Sequence, residues 1–379
     1  LSQNGKAPEI DPQTWPHLRS VVEHAEQKGY KQVGKLWNGL GAALAAAEKR
    51  LQARACFMRA LALEEKPADI AIILNNMGRV CQDMGDLDGA KTCFKRSMML
   101  DERVYSPGYP GVANDAILLG QVLQDLGDLQ GAKTCFERAL SIHENAFQYG
   151  PKHPLVAVDS ISLGRLLLAM KDYAGAKANF ERALAVNEWA YGPCHPSIAA
   201  AAGELGRVLR ILDDFSSAKT CFEHQLSIDE MMNGPDHPSL TPTLNNLGLT
   251  FQDLDEVSKA RACFERALSI DGKIFGPESV EAARDMNNLG SVLRELGELQ
   301  QSKQMFRQAL AINESTPEPR PRDVATNANN LGRVLYSLED YTGAKQCFER
   351  ALAIDETLFG CENPAVATDL TNLGVSLHE

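Results

Sequence analysis

The chain has 379 residues, 44% of them hydrophobic, and a formal net charge of −12. Its acidic balance argues against a general nucleic-acid or anionic-membrane surface, and no run approaches the ~18 consecutive apolar residues of a membrane span. The polar stretch from Leu1 to Gln13 reads as a linker from something larger and carries no secretory-signal pattern, so a cytoplasmic chain with reduced cysteines is expected.

From Thr14 the pattern changes. Thr14, Trp15 and Pro16 open a helix that should end near Gly29, a capping helix over residues 14–30. Residues 31–379 then carry one repeat. A glycine followed sixteen residues later by phenylalanine begins at Gly41 with Phe57. It recurs as a Leu-Gly or Met-Gly pair at Gly78, Gly120, Gly164, Gly206, Gly248, Gly290 and Gly332, and the chain stops inside another copy at Gly374. From Gly78 onward the glycines are 42 residues apart in six of seven intervals and 44 apart in the other. A period of this size means stacked helical hairpins, about eight of them, the last one truncated.

One unit shows why. Leu74, Met77, Gly78 and Cys81 share one face at helical spacing, and Gly85 with Asp86 ends that helix. A second helix presents Ala90, Phe94, Ser97 and Met98. Gly78 and Ala90 are small because the two helices cross closely there, and Phe94 is expected to fill the gap to the following hairpin.

The Leu-Gly pair followed by A-x3-F-x2-A resembles the tetratricopeptide repeat over residues 31–379. That resemblance implies an all-α, right-handed superhelical solenoid that binds protein or peptide in a concave groove and needs no cofactor. Two departures stand out. The tyrosine after the glycine is replaced, by Cys81 and Leu123 for example, and the proline that ends the second helix is mostly glutamate, as at Glu102, Glu144, Glu230 and Glu314. With no proline stop that helix can run on. Eight residues beyond the usual period of about 34 would add ~12 Å if all were helical, although part of this length goes into loops such as Gly150-Pro151-Lys152-His153-Pro154. The long period, the N-N-L-G motif and the G-P-x-H-P loops resemble kinesin light chains and the sensor arrays of multidomain signalling ATPases (the STAND type). The Trp15-Pro16-His17-Leu18 segment, with His24 further on, is similar to the opening of many such sensor arrays.

Several tempting motifs yield to the repeat. Cys56, Cys93, Cys135, Cys221, Cys263 and Cys347 each precede a repeat phenylalanine, so they read as small buried packing residues, while Cys194 and Cys361 fall in loops. No C-x-x-C occurs. The run from Gly127 through Gly131 to Lys133 and Thr134 is not a phosphate loop, because its lysine does not follow the second glycine and it sits on a hairpin turn. His153, His195 and His237 occupy equivalent loops on different hairpins, too far apart to share a metal ~2 Å away, and should hydrogen-bond locally. No nucleophile–base arrangement stands out from the repeat, so neither catalysis nor a metal site is expected.

By resemblance, two first-helix positions face the groove. Three residues before the glycine lie Asn38, Asn75, Asn245, Asn287 and Asn329, whose amides could bond an extended peptide backbone. One residue after it lie Arg79, Arg165, Arg207 and Arg333, with Arg210 and Arg294 three residues further on. Neither post-glycine position holds an acid in any copy. Arg79, Arg210 and Arg294 have Asp83, Asp214 and Glu298 four residues on, and Arg207 has Glu204 three before it, as candidate local partners. Arg165 and Arg333 have none at that spacing. The Glu-Arg doublets Glu137-Arg138, Glu181-Arg182, Glu265-Arg266 and Glu349-Arg350 read as a solvated convex face, and Pro317 to Arg322 as a stiff excursion. The expected function is non-catalytic: an array for a protein or peptide ligand, an acidic one among the candidates, that senses an inducer for an ATPase domain it contacts upstream. The alternative is a cargo or scaffold adaptor similar to kinesin light chain. Neither nucleic acid nor membrane is an expected partner. The truncated last unit should leave Leu373 and Leu377 on an open apolar face.

Overall fold

The computed structural model describes residues 14–146, 149–316 and 320–378. Among these, every regular element is helical, and the helices alternate into hairpins. The chain divides into two compact units, one ending at Gly192 and one beginning at Pro193.

The first unit opens with α1 (Trp15–Gln27), followed by the hairpins α2 (Val33–Ala46) with α3 (Arg50–Leu63), α4 (Pro67–Asp83) with α5 (Leu87–Val104), α6 (Pro110–Asp125) with α7 (Leu129–Asn145), and α8 (Pro154–Ala169) with α9 (Tyr173–Tyr191). The second unit has α10 (Pro196–Ile211) with α11 (Phe215–Asn233), α12 (Thr241–Asp253) with α13 (Val257–Ile274), α14 (Val280–Glu295) with α15 (Leu299–Ser315), and α16 (Pro321–Ser337) with α17 (Tyr341–Phe359), then α18 (Pro364–His378). Residues 317–319 of the expected proline-rich excursion lie outside the described residues; Arg320 and Pro321 already form the start of α16.

The first helices α4, α6, α8, α10, α16 and α18 start on a proline whose missing N–H costs nothing at that position. The loop histidines complete the start. Nδ1 of His153, His195 and His237 accepts the backbone N–H of Leu155, Ser197 and Ser239, each at 3.2 Å. Asn363 does the same for Ala365 at 2.9 Å. Each hairpin turn has a left-handed residue, Gly85 in the second hairpin at φ +78° but Lys171 in the fourth at φ +62°. An aspartate then caps the second helix: Asp86, Asp128, Asp172 and Asp340 accept from the glycine N–H three residues on. The phosphate-loop mimic is therefore a helix cap. Second helices from α5 onward span 17 to 19 residues, the extension that follows from losing the proline stop.

Inside each hairpin the repeat phenylalanine lies on the repeat glycine. A Cβ built on Gly78 would stand 2.6 Å from a Phe94 ring carbon, and one on Gly206 would stand 2.8 Å from Phe222. The ring was expected to fill the gap to the next hairpin; it also makes a close contact within its own hairpin. Phe306 also packs with Leu331, Val334 and Leu335 of α16, so it reaches the following hairpin too. The rings are fully buried at Phe57, Phe94, Phe180, Phe222, Phe264 and Phe306. All nine cysteines are free. Cys56, Cys81 and Cys93 are buried, whereas Cys135, Cys221, Cys263 and Cys347, expected to be buried as well, are only half-buried. Burial pushes the thiols of Cys93 and Cys263 up to about 11. At the C-terminal end, Val375 and Leu377 of α18 are exposed and Leu373 is half-buried, and a Cβ on Gly374 would meet nothing within 4 Å.

Candidate binding surface

The asparagines before the glycine are held by the next hairpin. In the second unit Asn245 Nδ2 donates to Asp285 at 2.7 Å, and its Oδ1 accepts from Asn288 at 3.0 Å. Asn287 Oδ1 accepts from Asn330 at 2.9 Å. Asn329 donates to Asp369 and accepts from Asn372 at 3.0 Å. In the first unit Asn38 accepts from Asn76 at 3.0 Å, and Asn75 donates to Asp115 at 2.6 Å. One first helix is thereby clamped to the next first helix. The side-chain bonds that the sequence offers to a peptide backbone are largely spent between repeats, so these amides set the spacing of the surface. The signal for this lay in the sequence: the second asparagine of N-N-L-G and an aspartate five residues before the next glycine recur together.

The arginines are more available. Arg79, Arg165, Arg207 and Arg333 are exposed. Arg207 reaches Glu204 at 3.4 Å, the local partner expected. Arg210 does not use Asp214, whose carboxylate caps Ser217; it reaches across to Asp253 of the next first helix at 2.9 Å. Gln82 with Asp125 and Gln252 with Glu295 repeat that cross-link at 3.1 and 3.0 Å. The local pairs Arg79 with Asp83 and Arg294 with Glu298 do not form; Glu298 instead binds Arg261 at 2.8 Å. In the second unit Arg294 lies within the electrostatic reach of Arg333. Arg294 is half-buried, and that burial, with the charge of Arg333 beside it, lowers its guanidinium from the usual arginine value, while Glu295 pulls the other way. Neither arginine has a carboxylate within ion-pair distance among the described residues.

The Glu-Arg doublets are not merely a solvated face. Arg138 pairs with Glu102, Arg182 with Glu144, Arg266 with Glu230 at 2.5 Å and Arg350 with Glu314 at 2.5 Å. Each partner is the glutamate standing where the terminating proline was expected in the preceding repeat. The two departures from the usual pattern therefore belong to one device: the extended second helix ends on a carboxylate that the next second helix grips.

Behind these surfaces lies a further set that the sequence reading passed over. Where a second helix meets the next first helix, two polar side chains face each other in the core. His143 and Asp159 touch at 2.5 Å, both buried. Asp271 and Asp285 form an acid pair, hydrogen-bonded to one another, and burial raises Asp285 to about 7. Asp355 and Asp369 form a second, in which burial raises Asp369 to about 6. At the equivalent junction between these two stand Asn313 and Asn327, both buried. In the first unit burial raises Asp115 to about 6, with Asp101 nearby.

Among the described residues no group of three or more His, Cys, Asp or Glu side chains is placed to hold a metal ion, and no helix is long and apolar enough to cross a membrane. A sequence profile for the tetratricopeptide repeat matches residues 69–145, 116–188, 197–271, 239–315 and 323–379. The chain belongs to the tetratricopeptide-repeat family. A second profile of the same description matches residues 161–218. No curated protein matches the chain. Among solved structures, a tetratricopeptide repeat protein from Parabacteroides merdae is similar at 14% identity and TM-score 0.55, covering 81% of this chain and 98% of its own. The apo form of RapI is similar at 17% identity and TM-score 0.51, covering 74% and 97%. A Podosopora anserina protein described as a kinesin light chain with nearly identical repeats aligns at 20% identity and TM-score 0.49, covering 55% and 98%. At these identities the likeness is one of fold: consecutive tetratricopeptide hairpins.

Proposed function

We propose that this tetratricopeptide array binds an acidic protein or peptide ligand on its first-helix surface without catalysis. The observation that carries this reading is the Arg294–Arg333 pair. The charge of Arg333 acts on the half-buried Arg294 and neither has an ion-pair carboxylate among the described residues, so an incoming anion offsets both repulsion and desolvation. Arg79, Arg165, Arg207 and Arg210 extend the basic character within their own units, and Asn75, Asn245, Asn287 and Asn329 fix the helix spacing on which it depends. The wider setting proposed is the inducer-sensing region of a cytoplasmic STAND-type signalling ATPase, in contact with its nucleotide domain. Trp15 supports it: the tryptophan of the Trp-Pro segment is buried on the first hairpin beneath the Lys49 ammonium, 5.1 Å from the ring centre. The alternative reading, an adaptor similar to kinesin light chain, draws on the 42-residue period and the N-N-L-G motif.

The test is calorimetric titration of matched acidic and neutral peptide libraries against the native chain and an Arg294→Glu, Arg333→Glu double variant. A charge-assisted hydrogen bond contributes about 1.5–3 kcal/mol, so the variant should bind the selected acidic peptide more than ~10-fold more weakly with its helicity unchanged. Native affinity should also fall as salt shortens the Debye length to ~8 Å or less. Equal binding by both proteins at low salt would falsify the acidic-ligand reading.

A further inference from the structure

The acid pairs sit at a mechanical position. Asp271 ends the buried stripe of α13 and Asp285 lies in the second turn of α14, so the pair is the polar contact by which one hairpin meets the next. Both side chains are buried, at 1% and 0% exposure. The groups facing them come from two helices, α12 and α14. Asn245 of α12 donates to Asp285 at 2.7 Å, and the hydroxyl of Thr241 supports Asp271. From α14 itself, Arg284 lies 3.3 Å from Asp271 and 3.6 Å from Asp285, and the carboxylate of Glu281 acts on Asp271 from a greater distance. One cation therefore faces two buried acids, with a further acid nearby. Asp271 Oδ1 and Asp285 Oδ2 have no other partner. A proton held by Asp285 and donated to Asp271 balances the site; without it, one buried carboxylate stays uncompensated. The Asp355–Asp369 junction repeats the arrangement, with Asn329 in place of Asn245 and with no ion pair to either acid among the described residues. Asp369 Oδ2 is likewise without a partner.

We propose that the Asp271–Asp285 and Asp355–Asp369 junctions are proton-locked joints, closed while each pair shares a proton and loosened when it is lost, so that the second unit stiffens in acid and becomes compliant above neutrality. The sign follows from burial. The folded-state carboxyl of Asp285 titrates near 7, above the ordinary unfolded value of about 3.9. The folded unit then binds more protons than the unfolded chain between those limits, and stability falls as pH rises through that window. The joint is intact near pH 4 and open above about 7. Asn313 and Asn327 hold the equivalent positions between α15 and α16 and cannot titrate, so the molecule carries its own control.

The experiment is hydrogen–deuterium exchange on the full chain from pH 5 to pH 8, corrected for intrinsic exchange. Amides of α13 and α14 and those of α17 and α18 should lose protection at least ~10-fold across this range, while those joining α15 to α16 stay flat. Asp285→Asn, which keeps a neutral donor, should flatten the α13–α14 profile. If that variant fails to fold, Asn313→Asp with Asn327→Asp should instead confer pH dependence on the neutral junction. Parallel profiles at acidic and asparagine junctions in the native chain would overturn the proposal, as would an unchanged profile in a folded Asp285→Asn protein.

Discussion

The two units are built from the same repeat but glued differently between hairpins. In the second, Asn245, Asn287 and Asn329 each receive an amide bond from the next first helix, through Asn288, Asn330 and Asn372. In the first, the arrangement begins with Asn76 on Asn38 and then lapses, since Ile117 and Ile161 stand where the asparagine would be. Asn75 marks the break. It still donates to Asp115, but its Oδ1 is buried without a partner because Leu118 occupies the donor position. Apolar packing alone is enough to stack hairpins, so the amides add something else. At the junctions that carry it, this directional bond fixes the offset between successive first helices, as buried polar groups can do when all are paired. The second unit is therefore the one in which arginine spacing is most strictly set, and it is also where the charge of Arg333 acts on Arg294.

The largest effect should come from a position the two units share. Gly120→Leu and Gly290→Leu each force a branched side chain into a Phe ring, where even a Cβ would stand 2.9 Å from ring carbon. Overpacking of this kind costs about 1–3 kcal/mol and sometimes more. Because hairpins contact mainly their neighbours, exchange protection should fall within the unit that carries the change and persist in the other. Loss spread evenly over α2 to α18 from either variant would contradict the division into units.

A smaller effect should separate the units. Asn245→Leu removes the amide that satisfies Asp285 and leaves the Asn288 donor without an acceptor, an expected loss of about 1–3 kcal/mol. Ile117→Ala in the first unit removes apolar packing and strands no polar group. The two should differ in kind: the asparagine variant should lose stability most at high pH, where Asp285 is ionised and most needs its donor, and the isoleucine variant should lose the same amount at all pH values. Denaturant titrations at pH 5 and pH 8 decide between them, and identical pH behaviour would remove the clamp from the account.

Much of the fold was legible in the sequence because a 42-residue period with invariant small and large residues allows few packings. Gly78 with Phe94 specifies a close helix crossing, and the glutamates at the proline positions correctly implied longer second helices. The surface was harder to read. Arg210 with Asp214 satisfies the i,i+4 rule, yet Arg210 turns to Asp253, because the adjoining first helix offers a carboxylate that no helix cap has claimed. The asparagines failed for the same reason. Spacing within a helix shows which face a residue lies on, but a repeat array places the same residue of the next copy alongside, and pairs 40 or 43 residues apart then compete with local ones. Reading each position against the following repeat, not against its own helix, would have found the clamps, the Arg138–Glu102 grip and the acid pairs.

The finest test adds the missing clamp to the first unit. Leu118→Asn places an amide where Asn288 stands in the second unit, opposite the unpartnered Asn75 Oδ1. The substitution also removes a half-buried leucine, whose burial contributes part of the ~1.5–3 kcal/mol of a fully buried one, so the change in stability against the native chain mixes two opposing terms. Leu118→Ala separates them, since it removes nearly the same apolar surface and supplies no donor. If the clamp operates in the first unit as in the second, the asparagine variant should exceed the alanine variant by about 0.5–1.5 kcal/mol, the net contribution of an ordinary hydrogen bond. In a unit of this size that is about 1–6 °C in melting temperature. The gain should vanish when Asn75→Ala is added, because the acceptor is then gone, and the double-variant cycle isolates the bond from its surroundings. An asparagine variant no more stable than the alanine one would mean that the clamp does not form there, and that the register of the first unit rests on apolar shape alone.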